Sequence, residues 1–136
     1  MTQTPPPTVW PAFRATDARA LIDFLVTAFG FREVVAHEDG KTVHHAELAW
    51  PEGGGVMLGS VRDDPDDHWA TQTGAIGVYV VTDDPDAVHA RAVAAGAEIT
   101  RGLNDTDYGS REFAARDPEG NLWSFGTYAG EPRRAV

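Results

Sequence analysis

The stretch Pro51-Glu-Gly-Gly-Gly-Val-Met-Leu-Gly-Ser60 returns 67 residues later as Pro118-Glu-Gly-Asn-Leu-Trp-Ser-Phe-Gly-Thr127. In a chain of 136 residues that offset is about half the length, so the fold is expected to be two copies of one small unit. The repeat also aligns the halves with each other, so a position in one half predicts the role of its counterpart in the other. In both copies a Pro-Glu-Gly turn leads into an apolar strand.

Upstream of each turn the same plan is legible. In the first half a strand over 9–15 precedes a helix capped by Asp17 and stopped by Gly30. Strands over 31–37 and 43–50 follow, joined by a turn at 38–41, and 56–60 is the last strand. In the second half a strand over 77–81 precedes a helix opened by Asp84 and Pro85 and stopped by Gly96. Strands over 98–101, 111–116 and 122–128 follow, with a polar loop over 103–110. Asp84 falls on Asp17 at offset 67, whereas Gly96 falls nearest Gly30 at offset 66, so the helices differ by one residue. A single unit cannot bury the apolar face of its sheet well, and two together can.

The expected organisation is one domain over 9–128. Its first module covers about 9–61, a linker 62–74, and the second module about 75–128, with flexible termini at 1–8 and 129–136. A net charge of −10 argues against nucleic acid as a partner, because binding it needs a basic surface. No apolar run is long enough to span a bilayer, which argues against a membrane. With no cysteine there is neither a disulfide framework nor thiolate chemistry. The N-terminus lacks the basic start and apolar segment of a secretory signal, so a cytoplasmic location is expected. The acidic runs near Asp63 and Asp83 read either as solubilising loops or as a field that draws cationic ligands.

Two segments carry a family resemblance. Asp17-Ala-Arg-Ala-Leu-Ile-Asp-Phe-Leu-Val-Thr-Ala-Phe-Gly-Phe31 resembles the opening of the vicinal oxygen chelate superfamily, and Asp117-Pro-Glu-Gly-Asn-Leu-Trp-Ser-Phe-Gly126 resembles its closing strand. This is the group of glyoxalase I, bleomycin-resistance proteins, fosfomycin-resistance enzymes and ring-cleaving dioxygenases. The resemblance implies an α+β fold of two tandem βαβββ modules that form a curved, open, barrel-like cup. It also implies a homodimer with the cups at or near the subunit interface. It leaves function open, since one scaffold hosts many chemistries.

In the metal-using members the first and last strands of each module supply four ligands. Carried onto this sequence, those positions are Trp10, Met57, Gly77 and Ser124. Divalent ions of this chemistry take imidazole, carboxylate or amide groups, and none of the four offers one. Their strand neighbours do not either, so no metal and no cofactor is expected.

Strand alternation then sorts what lines the cup. Trp10, Met57 and Tyr79 are expected on an apolar floor with Leu122. Arg14, His45, Glu47, Glu112, Arg116 and Ser124 are expected as polar anchors, and the loop residues Trp69 and Tyr108 as covers. Alternatives stand beside these: Trp10 as dimer packing, Arg14 with Glu47 as a structural ion pair, Met57 as core filler. His44 and His45, being adjacent on a strand, are expected to face opposite ways. An apolar pocket with a few converging polar groups suits a small organic ligand. The first functional reading is a metal-free protein that sequesters a hydrophobic, aromatic or cationic compound, with a role in antibiotic resistance as one outcome. The alternative is a lyase or isomerase with Glu47 as general base, and the residual one a purely structural dimeric module.

Overall fold

The computed structural model describes residues 7–63, 73 and 76–132. Trp69 lies outside the described residues. The chain runs β1 (Ala12–Ala15), α1 (Ala18–Phe24) with a π-helical last turn (Leu25–Phe29), β2 (Arg32–Asp39), β3 (Thr42–Ala49) and β4 (Gly55–Ser60). The second module is β5 (Gly77–Val81), α2 (Pro85–Ala94), β6 (Glu98–Asp105), β7 (Arg111–Arg116) and β8 (Leu122–Gly126). Each module forms a four-stranded mixed sheet, in the orders β1-β4-β3-β2 and β5-β8-β7-β6. The outer pair is parallel in both, with Ala12 opposite Met57 and Tyr79 opposite Ser124, which are counterparts at the repeat offset. The fold is α+β, two tandem βαβββ modules with open curved walls and no closed barrel.

The local chemistry repeats with the sequence. Asp17 and Asp84 each cap a helix, accepting a hydrogen bond at 3.1 Å from the backbone N–H of Ala20 and of Ala87. Gly30 and Gly96 end the helices at φ +92° and +77°, a left-handed geometry that favours glycine. The extra residue of the first helix is taken up by its π turn, the usual way a helix absorbs a one-residue insertion. Leu25, Ala28 and Phe29 are all buried as a result.

One core serves both modules. The Phe13 ring of the first sheet meets Trp123 of the second at 5.7 Å, Trp50 meets Phe125 at 5.8 Å, and Phe29 touches Trp123 at 5.6 Å. Both sheets therefore turn their apolar faces toward the helices and each other, and their opposite faces outward. The two Pro-Glu-Gly turns lock the modules reciprocally. The Glu119 carboxylate accepts from the N–H groups of Thr16 and Asp17 at 2.8 and 3.0 Å. Its counterpart Glu52 accepts from the Thr82 hydroxyl at 2.8 Å and the Asp83 N–H at 3.1 Å.

Several expectations change, and the last strand ends at Gly126 rather than at 128. The first strand begins at Ala12, although the Pro11 carbonyl still accepts from Met57 N–H at 2.9 Å; Val9 is largely exposed. Strand β6 continues to Asp105, because irregularities in register after Ile99 and Arg101 keep its polar end paired with β7. In β3 the register shifts between His37 opposite His45 and Glu38 opposite Val43, leaving His44 as the extra residue of a bulge. The bulge cancels the alternation there, so His44 and His45 line one cleft rather than facing opposite ways.

Candidate functional site

The outward faces of the two sheets carry two separate groups of side chains. The first module has a cleft of about 230 Å³ over β1, β3 and β4. Arg14, His44, His45, Met57, Gly59 and Arg62 are among its lining, and none of the described residues of the second module is. Arg14 is only 7% exposed, and its Nη1 donates to the Ser60 carbonyl at 3.4 Å. Gly59 makes room for it, since a Cβ there would lie 3.2 Å from that same nitrogen. Arg62 Nη2 donates to the His44 carbonyl at 2.8 Å and so holds the bulge. His45 Nε2 lies 2.8 Å from Glu47 Oε2, a pair that is partly open to solvent. Trp10 seats its ring beside Gly55, where a Cβ would come within 2.9 Å of Cζ3, and it does not line the cleft.

The outward face of the second module is an exposed wall. Tyr79, Val81 and Leu122 are 42, 38 and 40% exposed, large apolar surfaces for a sheet face. Tyr108 Oη donates to Glu112 Oε2 at 2.9 Å, and Tyr79 Oη donates to the Tyr128 carbonyl at 2.6 Å. Burial, assisted by the charge of Glu112, pushes the Tyr79 hydroxyl above its ordinary pKa. Tyr108 is pushed up mainly by its hydrogen bond to Glu112. Ser124 stands between Tyr79 and Ala114 in the register. Arg116 lies at the far end of β7 with its Nε 3.1 Å from Glu98.

The expected site residues thus fall into two clusters: Arg14, His45, Glu47 and Met57 on one wall, and Tyr79, Tyr108, Glu112 and Ser124 on the other. The cleft that Arg14, His45 and Met57 line is not lined by Tyr79, Tyr108, Glu112 or Ser124. His44, Arg62 and Tyr128 join these clusters without having been expected there. A bulge hides the first from any alternation rule, and the other two sit just past the ends of strands.

Trp10, Met57, Gly77 and Ser124, the positions that the resemblance implied for metal ligands, offer an indole, a thioether, no side chain and a hydroxyl, a donor set that does not fit a divalent ion. Among the described residues, no group of three or more His, Asp or Glu side chains stands ready to hold a metal ion.

Two open curved walls on a doubled βαβββ scaffold define the architectural class. The profile of the Glyoxalase/Bleomycin resistance protein/Dioxygenase superfamily matches residues 9–125, and the chain belongs to that superfamily. Among solved structures it is similar to TioX from Micromonospora sp. ML1, with a TM-score of 0.72 and 35% identity over 87% of this chain and 94% of that one. A glyoxalase/bleomycin resistance protein from Streptomyces sp. CB03234 shares the fold at a TM-score of 0.64 and 24% identity, covering 84% of this chain and 94% of that one. An uncharacterised protein of Mycobacterium bovis is 33% identical over 140 residues, covering 96% of this chain and 86% of that protein. Among the described residues, no helix is long and apolar enough to cross a membrane.

Proposed function

We propose that the chain is a metal-free small-molecule-binding protein of the glyoxalase/bleomycin-resistance type. It sequesters a hydrophobic, aromatic or cationic compound in the cytoplasm, a role of the antibiotic-resistance kind. The observation that carries this is the pair of outward walls. One holds a cleft with buried Arg14, and the other exposes Tyr79, Val81 and Leu122 to water. Each is half of a pocket. A second copy of the chain, set on a two-fold axis, apposes the first wall of one protomer to the second wall of its partner and closes two cups at once. Apolar faces then supply the affinity, and the few polar groups fix orientation.

The test is a thermal-shift screen of aromatic and cationic compounds with product analysis on every hit. Binding raises the melting temperature, by about 2.7 kcal/mol of stabilisation at a hundredfold excess over Kd. Stabilisation with the compound recovered intact is the expected result, and its consumption is the contrary one.

A second reading has one specific support. His45 stands beside Glu47 at 2.8 Å, so a carboxylate base has an imidazole neighbour in the first wall. Under this reading Glu47 removes a carbon-bound proton in a lyase or isomerase step. Exchange of such a proton in deuterated water, abolished in Glu47→Gln, would establish it.

A further inference from the structure

We propose that Glu112, framed by Tyr79, Tyr108 and Tyr128, receives the positively charged end of the ligand, a protonated amine or quaternary ammonium. This deepens the binding reading above and rests on it.

The geometry gathers these side chains at one corner of the second wall. Glu112 pairs with Gly126 across β7 and β8, and Tyr79 rises from the neighbouring β5. A Cβ on Gly126 would lie 2.6 Å from Tyr79 Oη, 2.7 Å from Glu112 Cγ and 3.0 Å from Glu112 Oε2. Both side chains therefore converge over a position that has to be empty. Tyr108 and Tyr128 meet edge to face at 5.8 Å and 77°, and Tyr128 Oη donates to a second carboxylate, Glu131, at 3.0 Å.

The corner has negative character without a matching ion pair. The nearby Arg111 is committed to Asp86 and Asp105, and Arg116 to Glu98. Among the described residues, Glu112 is in no salt bridge, and its Oε2 accepts from a phenol rather than from a cation. Arg101 of β6 is the basic group whose charge is felt at Tyr108. An anion placed here meets a carboxylate. A neutral apolar group strips water from that carboxylate and returns nothing. A cation finds the charge of Glu112 together with tyrosine ring faces, whose quadrupoles attract positive charge. The counterpart of Glu112 in the first module is His45, which shares its wall with Arg14, so the two walls differ in electrostatic character.

The test uses benzylammonium and benzyl alcohol, a charged and a neutral probe of similar size, titrated by NMR near neutral pH. The wild type is expected to bind the cation about fivefold tighter or more, as a cation–aromatic contact backed by a carboxylate requires. Glu112→Gln, whose amide spectrum serves as the check on its fold, should bring the two affinities together mainly by weakening the cation. Tyr108→Phe should leave much of the preference in place. Equal affinities in the wild type, or a preference that survives Glu112→Gln, would overturn the cation inference while leaving small-molecule binding intact. Binding of neither probe would overturn both.

Discussion

Replacing Asp117 with Asn should cost most of the stability that a single polar atom can carry in this fold. Asp117 is 4% exposed, and its side chain accepts four hydrogen bonds. Oδ1 receives the N–H groups of Glu119 and Asn121 at 2.8 and 3.0 Å. Oδ2 receives the Asn121 amide at 2.9 Å and the Trp123 indole N–H at 2.8 Å. An Asn keeps one oxygen for the backbone pair but turns an NH₂ toward two donors. Trp123 is wholly buried and Asn121 is 2% exposed, so neither donor finds water. Each stranded donor costs about 1–3 kcal/mol, and the loss is set at about 3 kcal/mol because the Asn121 amide can flip. In urea, with a slope of about 2 kcal/mol per molar, the midpoint should fall by about 1.5 M at unchanged slope. The turn itself is not at stake. Its counterpart closes with the same backbone bonds, Trp50 N–H to Gly54 O and Gly53 N–H to Trp50 O, without any carboxylate. A fall of less than about 1 kcal/mol at constant slope would refute the claim that this carboxylate holds the Trp123 indole.

Further outcomes follow from the same contacts. Glu119→Ala and Glu52→Ala each release two donors at opposite ends of the module interface; with solvent nearby, each should cost about 1–2 kcal/mol, and their effects should add in a double-mutant cycle by urea unfolding. In ultraviolet titration, Tyr108 should ionise above the ordinary tyrosine value and shift downward in Glu112→Gln. Because its folded pKa is raised, its contribution to stability is complete below the unfolded value of about 10 and is lost as pH climbs through the folded one. Calorimetric titration of nickel or zinc into metal-stripped protein should show no stoichiometric micromolar binding, and its appearance would mean that ligands other than Trp10, Met57, Gly77 and Ser124 form a site.

Much of the fold was legible because its determinants are local. Asp17 and Asp84 announce caps, Gly30 and Gly96 announce stops, and the repeated Pro-Glu-Gly turn fixes the register of both modules at once. The one-residue slip between the helices was also visible, although only the structure shows that a π turn absorbs it. In the regular strands β4, β5 and β7, Met57, Tyr79 and Glu112 lie outside the buried core. Strand alternation failed at His44, since a bulge depends on tertiary pairing with β2 and leaves no mark in the residue pattern. It also could not show that Glu112 stays out of the cleft that holds Arg14. That arrangement comes from packing Phe13 and Trp50 against Trp123 and Phe125, contacts between modules far apart in sequence.

The proposal of a cup closed by two chains is tested most directly by cross-linking, which a chain without cysteine permits cleanly. Met57→Cys protein is mixed with a size-tagged Ser124→Cys protein and treated with a short bis-maleimide. Walls contributed by different chains predict a linked species in the mixture at the summed mass of one untagged chain of 14.7 kDa and one tagged chain. A link that forms only when both cysteines sit in one chain, and migrates at the single-chain mass, would contradict it.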